Sequence, residues 1–124
     1  MTKISSQQLN DFLAFLREAE QQSNMARADN EEANNETQDI LHEIEFGGYD
    51  PRKTGRLVKK LGGVRQKRRN AKNTIEITTP ILSWCSENKD VVKSLQQLLG
   101  DIRKVEHRIE TRVYAPRTNI LEEE

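Results

Sequence analysis

The chain has 124 residues, of which 34% are hydrophobic and 32% are charged, and its formal net charge at pH 7 is zero. Soluble domains usually contain about 45–50% apolar residues, so this length and composition exclude a large single core. They leave either disorder or long helices that bury narrow stripes. No signal peptide and no apolar run near about 18 residues is present, so we expect neither secretion nor membrane spanning.

The first predicted helix begins at Ser5, which forms a capping-box pattern with Gln8, and ends at Phe46 before Gly47-Gly48. Its stripe steps by four and three residues, a heptad pattern that predicts helix pairing. The middle of the stripe is small or polar. The stripe is Phe12, Leu16, Ala19, Ser23, Ala26, Asn30, Ala33, Thr37, Ile40 and Ile44.

A second helix is predicted from Asp50 as N-cap and Pro51 as the first helical residue. We expect a bend at Gly62-Gly63, at Pro80, or at both, with Thr79 as a fresh N-cap if the helix restarts. Its stripe again alternates steps of three and four residues. The stripe is Thr54, Leu57, Leu61, Val64, Arg68, Ala71, Ile75, Thr78 and Leu82.

A polar turn at 86–88 precedes a third, shorter helix, which we expect to end before Pro116. A short strand pairing around 113–117 is an alternative for that end. Residues 1–117 are predicted to form one helical domain, followed by an acidic flexible tail at 118–124. The third stripe is Val91, Leu95, Leu98, Ile102, Val105 and Ile109.

The fold class predicted from these stripes is all-α, with long antiparallel helices joined by short loops. Three stripes of this width leave apolar edges exposed in a monomer. We therefore predict an oligomeric helical bundle, with a homodimer as the simplest closed assembly.

Charge is distributed unevenly along the chain. Residues 1–50 contain eleven acidic and three basic residues, whereas residues 51–75 contain ten basic residues and no acidic ones. In an antiparallel hairpin, residues 52–60 would oppose 39–45, which accounts for the near half of the basic segment by ion pairing. The far half would oppose a small, polar stripe, which leaves structural ion pairing and an anion pocket as open alternatives.

Features of a catalytic site are weak. Cys85 is next to Trp84 in a stretch expected to be packed, and the two histidines, His42 and His107, are on different helices. The glycine pairs lack the context of a phosphate-binding loop. We therefore predict no enzyme activity, no metal and no cofactor.

Arginines are the candidate binding residues, because a guanidinium can grip phosphate oxygens in a bidentate way. Two aromatic residues could stack on a base, although a lone Trp is more often part of a core. A nucleic-acid binder is a weaker alternative, because aromatic residues make up only 5% of the chain and its acidic first helix would repel a polyanion. The candidates are Arg27, Arg65, Arg68, Arg69, Arg108, Arg112, Trp84 and Tyr114.

Four segments carry a family resemblance: 39–45 (DILHEIE), 64–72 (VRQKRRNAK), 99–106 (LGDIRKVE) and 111–117 (TRVYAPR). Over about residues 36–117 the chain resembles small phage proteins, and among them the Thoeris anti-defence sponges. That resemblance implies a non-enzymatic oligomer in the host cytoplasm that sequesters cyclic ADP-ribose isomers, and in some members cyclic oligonucleotides. The expected partners are a small anionic nucleotide and a second copy of the chain. The alternative function is a helical inhibitor or adaptor that docks on a host or defence protein.

Overall fold

The computed structural model describes residues 4–48 and 50–112, and within them it shows three α-helices and no strand. Helix α1 spans Ser6–Phe46, α2 spans Pro51–Glu87 and α3 spans Lys89–Thr111. The predicted all-α fold with two long helices and one shorter helix is confirmed. No helix in the described ranges is both long enough and apolar enough to cross a membrane.

The helix ends follow the local sequence. The backbone N–H of Ser5 donates to Gln8 Oε1 at 3.3 Å, and Ser5 Oγ accepts from the backbone N–H of Gln7 at 3.3 Å, so the N-terminal cap of α1 is confirmed. Asp50 caps α2 by accepting from the backbone N–H groups of Arg52 and Lys53. After α1 ends, Gly48 adopts a φ of 81°, a conformation that favours glycine.

The structure corrects two predicted boundaries. Helix α2 continues through Pro80 to Glu87, and Thr79 is not an N-cap, because its Oγ1 donates back to the carbonyl of Ile75 at 2.6 Å. The expected polar turn at 86–88 shrinks to Asn88, whose backbone N–H and side-chain amide both bond to the carbonyl of Trp84. Bends at Gly62-Gly63 and Pro80 stay predictions. The tail at 118–124 and the alternative strand at 113–117 lie outside the described residues.

Ala14–Lys89 form one compact unit, here called the hairpin unit. Ion pairs between Lys53 and Glu43 and between Lys67 and Glu32 show that α1 and α2 run antiparallel in it. Ala33, Ile40 and Val64 are the buried residues of its core cluster, and Ile44, Leu57 and Leu61 pack against them. Every member of the second stripe is buried or half-buried, and so is every member of the first stripe from Leu16 onward.

The first turns of α1 and helix α3 form a second compact unit, the terminal unit. The backbone N–H of Ser6 donates to Glu106 Oε2 at 3.0 Å, and Arg103 Nη2 donates to Asn10 Oδ1 at 3.0 Å, so these helices also run antiparallel. Leu13 and Leu99 are its buried leucines, with 2% and 7% of their surface exposed.

The stripes predicted in the terminal unit are partly wrong. Leu13 takes the buried position predicted for Phe12, which is 42% exposed. On α3 the more protected apolar residues are Val92, Leu95, Leu99 and Ile102, whereas Val91, Leu98, Val105 and Ile109 are exposed. Helix α3 carries apolar residues around more of its circumference than one seam needs. Its contacts with α1 lie on the Leu99 side, because Leu99, Arg103 and Glu106 share a helix face.

Candidate anion-binding groove

Four basic side chains line one open groove of the hairpin unit, here called the arginine groove. They reach one side of α2 because residues three, four and seven apart share a helix face. Thr37 of α1 completes the wall, and Glu76 is the acidic residue at one end. The groove has a volume of about 470 Å³, and its lining is Thr37, Arg65, Arg68, Arg69, Lys72, Asn73 and Glu76.

None of the four cations forms an ion pair with a described carboxylate. The ion pairs in residues 4–48 and 50–112 involve Lys53 and Lys67 instead. Arg65, Arg69 and Lys72 are exposed, whereas Arg68 is half-buried in the seam between α1 and α2. Four positive charges in one groove repel one another, so the arrangement favours an anion between them.

Arg68 also contributes a buried polar atom that lacks a partner. Its Nε has no hydrogen-bond acceptor within the described part of the chain, and Asn30 Oδ1 and Ser23 Oγ on α1 are likewise buried without a partner. All three residues belong to the stripes of the seam, where a buried polar group without a hydrogen bond costs about 1–3 kcal/mol. The middle of the hairpin therefore has unused hydrogen-bonding capacity, and Arg68 is the member of this set that lines the arginine groove.

The opposite side of α2, here called the paired flank, has a different charge arrangement. Lys67 Nζ lies 3.1 Å from Glu32 Oε1 and 3.7 Å from Glu36 Oε1. Hydrogen bonding from Lys67 lowers the pKa of Glu32 below its usual value, and the same hydrogen bond raises the pKa of Lys67. The cation of the paired flank is thus compensated by carboxylates of α1.

The structure brings together three of the eight predicted site residues, Arg65, Arg68 and Arg69. Arg27 is exposed on α1, ten residues or about 15 Å along the helix from Thr37. Trp84 is 39% exposed near the end of α2, eight residues or about 12 Å beyond Glu76. Neither Arg27 nor Trp84 lines the groove.

The other three predicted residues come from the last part of the chain. Arg108 is on α3 and Arg112 is the first residue after this helix, so both belong to the terminal unit. Tyr114 lies outside the described residues. Along α3, Arg108 shares a shallow cationic surface with Arg103, Lys104 and His107.

Sequence reasoning missed Lys72, Asn73, Glu76 and Thr37 as groove residues. Helical spacing was the signal for Lys72, Asn73 and Glu76, since 72 and 73 follow 68 and 69 by four residues and 76 follows 72 by four. Thr37 needed the pairing of α1 with α2, because it reaches the groove from the other helix.

Other chemical groups are dispersed. The ring of His42 lies 4.7 Å from that of Phe46, centroid to centroid, and Cys85 is a half-buried free thiol. Among residues 4–48 and 50–112, no three His, Cys, Asp or Glu side chains gather closely enough to hold a metal ion. The lining of the arginine groove offers guanidinium, ammonium, hydroxyl and amide groups together with one carboxylate.

No family model, curated protein or solved structure matches the chain. Fold and groove together define a helical-hairpin protein with an uncompensated basic groove.

Proposed function

We propose that this protein is a non-enzymatic binding protein that holds a small phosphate-bearing ligand in the arginine groove. One observation supports the proposal above all. Arg65, Arg68 and Arg69 line one groove without an ion pair to a described carboxylate, although Lys67, in the same stretch of α2, contacts two. Arginines that are left uncompensated side by side suit phosphate oxygens, which accept bidentate hydrogen bonds from guanidinium groups.

The size of the groove limits the ligand. A volume of about 470 Å³ is within the range of about 300–1,000 Å³ usual for small-molecule sites. A nucleotide fits such a space, whereas a duplex does not. No aromatic side chain is among the lining residues that the structure describes, so recognition in this groove would depend on phosphate and ribose oxygens more than on base stacking.

The resemblance to Thoeris anti-defence sponges gives this binding a role. A phage-type protein of this kind would sequester a cyclic ADP-ribose isomer, or a cyclic oligonucleotide, in the host cytoplasm and so block an anti-phage defence. Sequestration requires tight binding without turnover. The groove is consistent with this, because His42, Cys85 and His107 do not line it.

Ligand-dependent thermal stabilisation tests the proposal. The purified chain is titrated with cyclic ADP-ribose isomers, with cyclic di- and trinucleotides, and with pyrophosphate as a minimal probe. Ligand at 100 times its Kd should stabilise the fold by about 2.7 kcal/mol. Added salt should weaken the effect, because the attraction is electrostatic. No shift with any of these compounds would contradict the proposal.

Substitutions test whether the ligand binds in the arginine groove. Arg65→Gln/Arg69→Gln should weaken binding by at least about tenfold, since each hydrogen bond to a charged group is worth about 1.5–3 kcal/mol. The matched control is Lys67→Gln, which removes one charge from the opposite face of α2. Loss of binding in Arg27→Gln or Arg108→Gln, with Arg65→Gln/Arg69→Gln unaffected, would place the ligand elsewhere.

A second candidate function is a helical inhibitor or adaptor that docks on a host or defence protein. The exposed apolar side chains along α3 favour it, since Val91, Leu98, Val105 and Ile109 are 46–58% exposed. It predicts no thermal response to nucleotides. It also predicts a purified partner whose binding is lost in Leu98→Asp and kept in Arg65→Gln/Arg69→Gln.

A further inference from the structure

Helix α3 presents an apolar ridge to solvent beside the face that contacts α1. Val91, Leu98 and Val105 repeat every seven residues, and Ile109 follows one turn later. Their exposed fractions are 46%, 47%, 47% and 58%. Half-buried Leu95 and Ile102 lie beside them, and together these six residues have the alternating spacing of a coiled-coil seam.

Opposite charges border this ridge on its outer side. Asp101 and Arg108 each follow a ridge residue, Leu98 and Val105, by three positions, which is the place that flanks the seam of a coiled coil. Both side chains are exposed, and neither forms an ion pair with a described residue. The pattern is self-complementary, because the acidic and basic positions are seven residues apart on one helix.

We propose that the α3 ridge is an interface between two copies of this chain, paired antiparallel about a two-fold axis that passes between residues 103 and 104. In this register Val105 packs beside Ile102 of the second copy, and Leu98 beside its Ile109. Asp101 of each copy then lies next to Arg108 of the other, so the pairing forms two equivalent ion pairs.

A parallel arrangement lacks this compensation. It would place Asp101 of one helix near Glu106 of the other, and both residues are acidic. Glu106 is also engaged in the terminal unit, where it accepts from the backbone N–H of Ser6. The charges of α3 therefore select the antiparallel register and a second copy of the same helix.

The size of the contact sets its strength. Pairing over residues 96–111 of α3 covers about 24 Å of helix, and a single pair of short helices buries less than the standard interface of about 800 Å² per partner. The dimer should therefore dissociate on dilution. Dimerisation does not depend on any ligand. The dimer proposal can therefore fail while the proposed function holds, and the proposed function can fail while the dimer holds.

Sedimentation equilibrium of the full chain without ligand, from about micromolar to about millimolar concentration, tests the interface. Arg108→Asp should weaken dimerisation by at least about tenfold, because it places an acidic residue next to Asp101 of the other copy at both equivalent contacts. Asp101→Arg should do the same. The double variant Asp101→Arg/Arg108→Asp should restore dimerisation, since it re-forms both ion pairs with reversed polarity.

Two controls separate the register from general charge and folding effects. Lys104→Asp makes the same change of charge away from the ridge and should leave the dimer intact. Val105→Asp should abolish the dimer and keep the helical circular dichroism signal, because Val105 is exposed in the single chain. A monomer at every concentration would overturn the proposal and leave the ridge to a different protein. Failure of the double variant to recover would overturn the register.

Discussion

The two faces of α2 in the hairpin unit draw on one basic segment, and their charges are compensated differently. On the paired flank Lys67 lies within 4 Å of two carboxylates of α1, whereas the four cations of the arginine groove share it with a single described carboxylate, that of Glu76. Both faces belong to the same helix, α2. The acids of α1 make the difference, because Asp29, Glu32 and Glu36 recur at steps of three and four and so gather on the paired flank.

The number of basic residues in α2 does not decide which of them are neutralised; the arrangement of acids on α1 does. Residues 51–75 look uniformly basic in the sequence, and a hairpin with an acidic partner helix could have neutralised all of them. Neutralisation stops at the arginine groove, where α1 contributes Thr37 in place of an acid. An uncompensated groove therefore results from which face of α1 carries the carboxylates.

The largest expected effect concerns the core on which both faces of α2 rest. Ile40→Asp should destabilise the protein by several kcal/mol, because it places an unpaired charge in a position that is 4% exposed. The neighbouring Leu41→Asp is the matched control, since Leu41 is 46% exposed and tolerates a charge. Thermal unfolding followed by circular dichroism measures both. Equal melting temperatures would show that the seam is not a core.

Substitution of two glycines of α2 tests whether each of its two faces has free space above the backbone. Gly63 lies on the paired flank, whereas Gly62 shares the face of Arg65 and Arg69. A Cβ atom at either position meets nothing within 4 Å, so Gly62→Ala and Gly63→Ala should each stabilise the helix by about 1 kcal/mol in urea unfolding.

Gly48→Ala is the contrasting control for these glycines. Its φ of 81° makes a side chain unfavourable, so this substitution should destabilise the protein by about 1 kcal/mol. A gain at Gly63 without one at Gly62 would show that the groove side of α2 does not have free space above its backbone.

Removing one charge from each face gives a smaller effect of opposite sign. Lys67→Gln should lower the melting temperature by no more than a few degrees, because it breaks exposed ion pairs with Glu32 and Glu36. Arg69→Gln should leave the temperature unchanged or raise it, since it relieves repulsion in the groove. Differential scanning calorimetry at low salt measures both melting temperatures. A decrease in Arg69→Gln as large as that in Lys67→Gln would show that the two faces of α2 do not differ in charge compensation.

The smallest effect is the pH dependence of the paired flank. The hydrogen bond from Lys67 lowers the pKa of Glu32 below its usual 4.5, so the stabilisation is present above that value and is lost as the pH falls through the folded-state pKa. The raised pKa of Lys67 means that its contribution disappears only as the pH rises above 10.5. Stability from this pair should therefore be constant between these limits.

Glu32→Gln isolates this dependence. Its urea midpoint should fall less than that of the parent chain between neutral pH and pH below 4.5, because the titrating carboxylate is absent. Glu31→Gln is the matched control, since Glu31 is exposed and forms no ion pair with a described residue. An acid response of Glu32→Gln identical to the parent would show that Glu32 is not stabilised by Lys67 in solution.

Local chemistry explains what could be predicted of the fold. Capping by Ser5 and Asp50, termination at Gly47-Gly48 and the stripes of α1 and α2 need only neighbouring residues and helical periodicity. Pro80 misled the boundary prediction, because a long helix with its own packing tolerates one missing backbone donor. On α3 the periodicity was ambiguous, since apolar residues at both Leu98 and Leu99 allow two faces.

The sequence by itself determined three helices, their antiparallel order in the hairpin unit and a basic segment, residues 51–75, that contains no acidic residue. Only the tertiary structure decided which cations remain uncompensated, because the pairing of α1 with α2 brings the acids of α1 to Lys67 and not to Arg65. The same holds for α3, where contact with α1 buries Leu99 and leaves Leu98 exposed. Periodicity defines the faces of a helix, but the partner that approaches it decides which face is covered.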